Sequence, residues 1–183
     1  MFFFFDHFTN SIVNIVKGGR RMNNTKESKV DIFNEKYNKY SSMLFKLSMP
    51  YLGNRSDAED AVQEAFIRLM FKAPVFVDEE HEKRWLLRIT INICKDKLKG
   101  FWRRHSVSLE DDYLFTDCDT EILNFAQMIV KLPIKYKDVI HLYYYENYKV
   151  PEIAEILHLS ISAVKMRLKR GREILKIELE AEL

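Results

Sequence analysis

Length, composition and charge restrict both the fold and the function of this chain. It has 183 residues, of which 47% are hydrophobic and 31% charged, with only 5 glycines and 4 prolines. These values exclude a disordered or collagen-like chain and favour a mostly helical globular protein of one or two small domains. Two cysteines, Cys94 and Cys118, are too few for a disulfide framework and indicate a reducing, cytoplasmic compartment.

The charged residues are unevenly distributed, although the net charge is only +2. Segment 83–104 contains eight lysines and arginines against one acid, and segment 165–176 contains six against one. Between them, segment 109–121 contains six acids and no base. This pattern favours two polyanion-binding surfaces separated by an acidic link, although ordinary solvated helix faces would give the same composition.

Residues 1–29 are interpreted as an N-terminal extension. Met1–Phe5 lacks the cationic start and the cleavage site of a signal peptide, and no apolar run approaches the roughly 20 residues of a membrane span. Two hypotheses stay open. In the first, translation starts at Met22, because Gly18–Arg21 is what a ribosome-binding site encodes when it is read in frame. In the second, Phe8–Val16 is an amphipathic arm that contacts a membrane or a partner. The intact mass of the native protein distinguishes them.

The segment 57–71 is predicted to form an amphipathic helix. Its apolar residues recur at three- and four-residue steps: Ala58, Ala61, Val62, Ala65, Phe66, Leu69 and Met70. Ser56 and Glu59 have the spacing of a capping box, which predicts the start of this helix. A further apolar stripe upstream predicts a helix that packs on it: Phe33, Tyr37, Tyr40, Leu44 and Leu47.

A long basic helix is predicted over residues 82–99. Trp85 is expected in the core, together with Leu86, Ile89 and Ile93. Another face carries a row of polar residues at helical spacing: Arg84, Arg88, Asn92, Lys95 and Lys99. Cations with one amide among them suit a nucleic-acid backbone and a base edge. The following residues add rings on which unstacked bases can stack: Phe101, Trp102, Arg103 and Arg104.

The C-terminal third has the pattern of a helix-turn-helix. Helices are predicted after Pro133 and at Pro151, and Ser160 is expected to cap a third helix after a tight turn. The apolar positions of the first of these helices are Val139, Ile140, Leu142 and Tyr143. The third helix is predicted to face inward with Ile161, Val164, Leu168 and Leu175, and outward with Ser162, Lys165, Met166, Lys169, Arg170 and Arg172. A basic outward face of this kind enters the DNA major groove, whereas a generic helical hairpin would not need it.

Both modules resemble parts of one protein family. Asp57–Phe66 and Trp85–Asn92, with Asp96, resemble region 2 of the sigma-70 family of RNA polymerase sigma factors, and Glu152–Leu168 resembles region 4. The linker at 106–120 is too short for an intervening domain, which is typical of the extracytoplasmic-function (ECF) type. The resemblance implies an all-α fold: a region 2 bundle at 30–105 and a region 4 helix-turn-helix at 121–183, joined by a flexible acidic linker.

The resemblance also implies roles for individual residues. The clamp coiled coil of core RNA polymerase would be bound by Asp57, Asp60, Gln63 and Glu64, while region 4 would meet the polymerase flap. The −10 promoter element would be contacted by Arg88, Asn92, Lys95, Lys99, Arg103 and Arg104, and the loop 72–83 would form the wall of a pocket for a flipped base. The −35 element would be contacted by Ser162, Lys165, Met166, Lys169 and Arg170.

The sequence departs from the family pattern at two places. The end of the basic helix, at 97–104, has fewer cations and more aromatic residues than the family shows. His158 stands where the family often has glycine, so it is expected to need an unusual backbone angle.

Two other function classes fit the sequence less well. A regulator that binds DNA unaided would explain the helix-turn-helix but not the acidic, glutamine-bearing helix, and it would bind duplex DNA tightly without polymerase. An enzyme is disfavoured because the five histidines are scattered, without a nucleophile–base pair, phosphate loop or metal spacing. The resulting expectations are no catalysis, no cofactor, no metal and no small-molecule substrate. The expected partners are core polymerase, promoter DNA and an anti-sigma factor that holds the cytoplasmic protein at the membrane.

Overall fold

The described part of the chain folds into six α-helices. The computed structural model describes residues 25–104, 129 and 132–181, and their side chains over 31–99, 129 and 132–176. The helices are α1 (Thr25–Leu52), α2 (Arg55–Lys72), α3 (Glu79–Arg104), α4 (Ile134–Ile140), α5 (Val150–Leu157) and α6 (Ile161–Ala181), with a π-helical turn at His141–Tyr145 after α4. Strands are absent from this described part of the chain, so the all-α prediction is confirmed.

Helices α1, α2 and α3 form the first module. The two predicted apolar stripes meet here: Phe33 and Leu44 of α1 are buried against Ala65 and Phe66 of α2, and Phe33 meets Phe66 edge-to-face with ring centroids 5.9 Å apart. Trp85 is only 9% exposed, which confirms its place in the core. Each of these three helices buries its apolar face against the other two, and this shared burial is why they form one unit.

The start of α2 differs from the prediction. Asn54, not Ser56, is the N-cap: its side-chain oxygen accepts from the backbone amide of Asp57 at 2.8 Å. Gly53 ends the preceding helix with φ of 73°, a left-handed angle that glycine adopts without strain. The helix therefore begins at Arg55, two residues earlier than predicted. The reason is that Gly53 ends α1 and Asn54, the next residue, caps α2.

Helices α4, α5 and α6 form the second module. Val139, Ile140 and Leu142 are buried against Val164 and Leu168 of α6, as predicted. Gly171 permits close packing here, since a Cβ at this position would lie 2.9 Å from Ile140 Cγ1. The inward orientation predicted for Ile161 is wrong, because its side chain is 48% exposed. Among the apolar positions of the first helix, Tyr143 is 37% exposed. Tyr143 lies in the π-helical turn, whose five-residue hydrogen-bond spacing rotates the later side chains away from the α-helical stripe.

The two modules pack against each other through α3 with α5 and α1 with α4. Their buried residues form one continuous core that includes Leu47 and Ile91 of the first module and Val139 and Ile153 of the second. The predicted linker 106–120 and the start of the second domain at 121 lie outside the described residues, as do both hypotheses on residues 1–21. Within the described residues, none of the helices is both long and apolar enough to cross a membrane.

Candidate nucleic-acid interface

The acidic face of α2 carries the four residues expected to bind polymerase. Asp57 is exposed at the N-terminus of α2, where its carboxylate complements the helix dipole. Asp60 is 56% exposed and lies 3.7 Å from Lys97 of α3. Gln63 is half-buried, and Glu64 forms an ion pair with Arg68 one turn further along the helix. The four side chains therefore line one solvent-facing side of α2.

Sequence reasoning missed two apolar residues on α2. Ile67 and Phe71 are 41% and 59% exposed. They follow Gln63 at four-residue steps, so they continue the acidic face toward the C-terminus of the helix. A signal was present in the sequence, because neither residue belongs to the apolar stripe that fills the core.

The row of polar residues on α3 is divided between solvent and the second module. Asn92 is exposed, and Lys99 is 71% exposed with Asp96 at 3.4 Å. Arg88 is half-buried and contacts the ring nitrogen Nε2 of His158 in the second module. Lys95 is also half-buried and donates to Asp138 at 2.5 Å. Arg103 and Arg104 belong to the last turn of α3, but their side chains lie outside those described.

The loop before α3 is held at its centre and exposed on both sides. Phe76 packs edge-on against Trp85 and His81, with centroids 5.7 and 5.5 Å away. Val75 and Val77 on either side of it are 93% and 88% exposed. Because Phe76 is anchored, the loop holds Val75 and Val77 in solvent. Exposed apolar side chains are unfavourable in water, so a ligand that covers them would gain free energy.

A cavity of about 340 Å³ lies between the first half of α3 and the end of α5, next to the end of this loop. It is lined by Asp78, Glu80, His81, Arg84, Trp85 and Arg88, with Glu155 and Ile156 of the second module closing one side. Asp78 fixes the loop end, since its carboxylate accepts from the amide of His81 at 2.7 Å. The predicted pocket wall at 72–83 is therefore next to a cavity that an aromatic side chain and two arginines line.

The turn between α5 and α6 is tight because His158 adopts a left-handed conformation. Its φ is 52° and its ψ 49°, and the amide of the next residue, Leu159, donates back to Ala154 at 2.9 Å. This is the closing hydrogen bond of a Schellman-type helix end. The expected unusual backbone angle at His158 is confirmed. Ser160 then caps α6 as predicted, accepting from the amide of Ala163 at 3.2 Å.

The outward face of α6 is open to solvent. Its expected DNA-contacting residues are all exposed: Ser162, Lys165, Met166, Lys169 and Arg170. Met166 is 52% exposed, and the Lys169 side chain is 79% exposed. On the opposite side, Val164 and Leu168 hold the helix against the rest of the module. The structure thus brings these five residues together on one face of one helix.

Asp138 of α4 joins the two modules, and sequence reasoning missed it. Its side chain is 1% exposed. One carboxylate oxygen accepts from the Tyr51 hydroxyl at 2.5 Å and the other from Lys95 at 2.5 Å. Lys137 beside it donates to the carbonyl of Pro50 at 2.6 Å, and its burial lowers the pKa of this lysine to about 8. The junction of the modules is therefore polar and hydrogen-bonded at its centre.

A second buried pair lies near the π-helical turn. His141 is 1% exposed, and burial lowers the pKa of its imidazole. Burial acts on Glu146 in the opposite direction, but the neighbouring His141, whose Nε2 lies 3.8 Å from the carboxylate, and the Lys83 ion pair prevail and lower the pKa of this carboxyl. Lys83 belongs to α3 of the first module and forms an ion pair with Glu146 at 2.8 Å.

Comparison with known proteins points to one family. The model described as Sigma-70 region 2 matches residues 37–104, and the model described as Sigma-70, region 4 matches residues 122–175. The ECF RNA polymerase sigma factor SigW of Bacillus subtilis is 32% identical over 178 residues, covering 87% of this chain and 95% of SigW. The RNA polymerase sigma factor SigV of the same organism is 28% identical over 148 residues, covering 75% and 85% of the two chains.

Two solved structures share the fold. CnrH in complex with the cytosolic domain of CnrY has a TM-score of 0.60 at 21% identity, covering 96% of this chain and 99% of CnrH. The sigma factor RpoE in complex with the anti-sigma factor NepR, from Bartonella quintana, has a TM-score of 0.58 at 18% identity, covering 82% and 98%.

Proposed function

Because the chain belongs to the ECF sigma factors of the sigma-70 family, we propose that it binds core RNA polymerase, recognises −35 and −10 promoter elements and helps to melt the DNA. Sigma factors are transcription factors, and the polymerase performs the chemistry. One observation carries the proposal. A single chain has an acidic helix face on α2, a polar row with an anchored loop on α3, and an exposed basic face on α6.

The acidic face of α2 is proposed to dock on the clamp coiled coil of the polymerase. Asp60 and Gln63 would supply the polar contacts, and the exposed Ile67 and Phe71 would add apolar area beside them. Apolar side chains at the centre of a polar rim are the usual arrangement of a protein interface. The docking energy would therefore come from the Ile67 and Phe71 side of the helix, and the orientation from the charges.

The −10 element is proposed to be read by α3 and its loop. A flipped base needs compensation for a few kcal/mol of lost stacking and pairing. The exposed Val75 and Val77 provide apolar surface for such a base, and the cavity beside Trp85 offers the guanidinium groups of Arg84 and Arg88. Asn92 can pair with a base edge, while Arg88 and Lys99 suit phosphates.

The −35 element is proposed to be read by α6. Lys165 and Arg170 suit guanine edges or phosphates, and Met166 can contact a thymine methyl. All three are exposed on one face of the helix that follows the tight turn at His158. An exposed polar face on the helix after such a turn is what a recognition helix presents to the major groove, which supports the proposal.

An anti-sigma factor is proposed as a further partner. RpoE was solved with the anti-sigma factor NepR, and CnrH was solved with the cytosolic domain of CnrY. A protein antagonist of this chain would act in the cytoplasm, and a membrane-anchored one would hold the sigma factor at the membrane until a signal arrives.

Run-off transcription with purified core polymerase and the region upstream of the gene tests the proposal. A defined transcript is expected only when the protein is added, and Asn92→Ala or Lys165→Ala should strongly reduce it. Exposed residues of the same type serve as controls: Asn38→Ala in α1 and Lys135→Ala in α4 should leave the transcript intact. Failure to co-elute with core polymerase, with no transcript, would refute the proposal.

The role of Lys165 has its own readout. If it contacts a base, Lys165→Ala should cost about 1–3 kcal/mol at one promoter position and relax the preference there. Transcription from a panel of single-base variants of the −35 element measures this. An equal loss on every variant would assign Lys165 to a phosphate instead.

A further inference from the structure

We propose that Ile161 is a further specificity-determining residue of α6, whose side chain contacts the 5-methyl group of a thymine in the −35 element. The inference rests on the proposed function of α6 as a recognition helix. It adds an apolar contact, at the first residue of the helix, to the five contacts expected further along it.

The start of α6 is stabilised by the neighbours of Ile161. Ser160 is the N-cap, and Leu159 before it packs against the core. Leu159 and the buried Val164 stand at the two positions of a hydrophobic staple, which fixes how a chain enters a helix. Ile161 itself is 48% exposed. Capping and core packing are therefore provided by other residues, and the Ile161 side chain is left on the surface.

Ile161 and Met166 are the apolar members of the exposed face of α6. The other exposed side chains of this helix, in its described part up to residue 176, are polar or charged. Ile161 precedes Lys165 by four residues, so these two side chains lie beside each other on the helix surface. The apolar group that a base pair presents in the major groove is the thymine methyl, and apolar side chains contact it. This face is therefore suited to thymine methyls as well as to polar base edges.

The position of Ile161 favours a base contact over a phosphate contact. The N-terminal residues of a recognition helix contact base edges. The first turn of α6 contains no acidic residue that would repel DNA, whereas the first turn of α3 contains Glu79, Glu80 and Glu82. Ile161 and Met166 are five residues apart, which is about 7.5 Å along the helix axis, while successive base pairs are about 3.4 Å apart. The two side chains would therefore contact thymines of different base pairs.

Promoter DNA that carries deoxyuridine in place of one thymine tests this contact, because the exchange removes only the 5-methyl group. Each thymine of the −35 element, on either strand, is exchanged singly. The concentration of polymerase holoenzyme that gives half-maximal run-off is then measured. Loss of one buried methyl should raise this concentration about 3- to 5-fold at the position that Ile161 contacts. Equal run-off from thymine and deoxyuridine templates at every position would overturn the proposal.

Variants of the chain assign the effect to a residue. Ile161→Ala should abolish the thymine preference at one position, and Met166→Ala should abolish it at another. Ile32→Ala is the matched control, because Ile32 in α1 has the same 48% exposure, and it should leave every preference unchanged. Retention of all preferences by Ile161→Ala would overturn the proposal. Loss of the same preference in both variants of α6 would overturn it too, since the two side chains are assigned to different base pairs.

A purely structural role of Ile161 would give a different result. Ile161→Ala should unfold at the same or a higher urea concentration than the unaltered protein, since the side chain is exposed and alanine is the better helix former. A lower urea midpoint, with an equal loss of run-off from thymine and deoxyuridine templates, would overturn the proposal and leave the proposed function standing. Absence of a transcript, with failure to co-elute with core polymerase, would refute the proposed function and this inference together.

Discussion

Replacing Asp138 with alanine tests whether the two modules are joined in solution as they are in the structure. The change leaves the buried Tyr51 hydroxyl without its acceptor and removes the carboxylate partner of Lys95. A hydrogen bond to a charged group contributes about 1.5–3 kcal/mol, and breaking a buried ion pair costs about 3–5 kcal/mol. Lys95 is 28% exposed and regains some hydration, so we expect a loss of about 3 kcal/mol.

Urea unfolding of the full chain, followed by circular dichroism, measures this loss. Tyr51→Phe removes the hydroxyl that donates to Asp138, and the double variant with Asp138→Ala completes a double-mutant cycle. Residues in direct contact should give a coupling energy of about 0.5–3 kcal/mol. Asp96→Ala, which removes an exposed carboxylate from an i,i+3 pair with Lys99, is the control and should change stability by less than about 0.5 kcal/mol.

A loss from Asp138→Ala as small as that of the control would refute the reasoning. It would mean that Asp138 is hydrated in solution, and therefore that the contact between α4 and the first module does not persist there. An additive cycle would refute the direct contact with Tyr51.

Three further predictions concern the second module. Gly171→Val should cost about 1–3 kcal/mol in urea unfolding, because its Cβ would lie 2.9 Å from Ile140 Cγ1. His158→Gly should be more stable than His158→Ala by about 1 kcal/mol, since both lose the imidazole but only alanine keeps a Cβ at a φ of 52°. The free energy of unfolding should fall as the pH drops below about 6.5, because burial lowers the pKa of His141 and the unfolded chain then binds more protons than the folded one. The lowered pKa of Glu146 should extend this fall below about pH 4.5 for the same reason.

Each of these has a contrary outcome. An unchanged urea midpoint for Gly171→Val would mean that α4 and α6 are further apart than in the structure. Equal stability of the two His158 variants would mean that the turn is not left-handed in solution. His141→Phe should flatten the pH dependence just below about pH 6.5, and an unaltered slope would assign the titration to another group.

The sequence determined the helices of both modules, because each has an apolar stripe long enough to be recognised by its period. Phe33, Leu44 and Phe66 were placed in the core by spacing alone, and so were Val164 and Leu168. Ser160 and the strained angle at His158 also followed from local chemistry, since capping and left-handed backbone depend on neighbours within a few residues.

Sequence-based predictions were wrong where two residues could cap the same helix, and where an α-helix changed into a π-helical turn. Ser56 and Glu59 have the spacing of a capping box, yet Asn54 is the cap, because Gly53 ends α1 so close to α2 that the chain turns at 53–54. Tyr143 is an apolar position of its predicted helix, yet it is 37% exposed, because the π-helical turn does not follow the 3.6-residue period.

The sequence by itself determined two helical modules, their family and the residue types on each surface. Only the tertiary structure decided how the modules meet. Tyr51 and Asp138 are 87 residues apart, as are Pro50 and Lys137. Arg84 and Glu152 are 68 residues apart. Periodicity reports which face of a helix is apolar but not which distant helix covers it, and partnered charges look the same in sequence as solvated ones. The contact between α3 and α5 is therefore a property of packing.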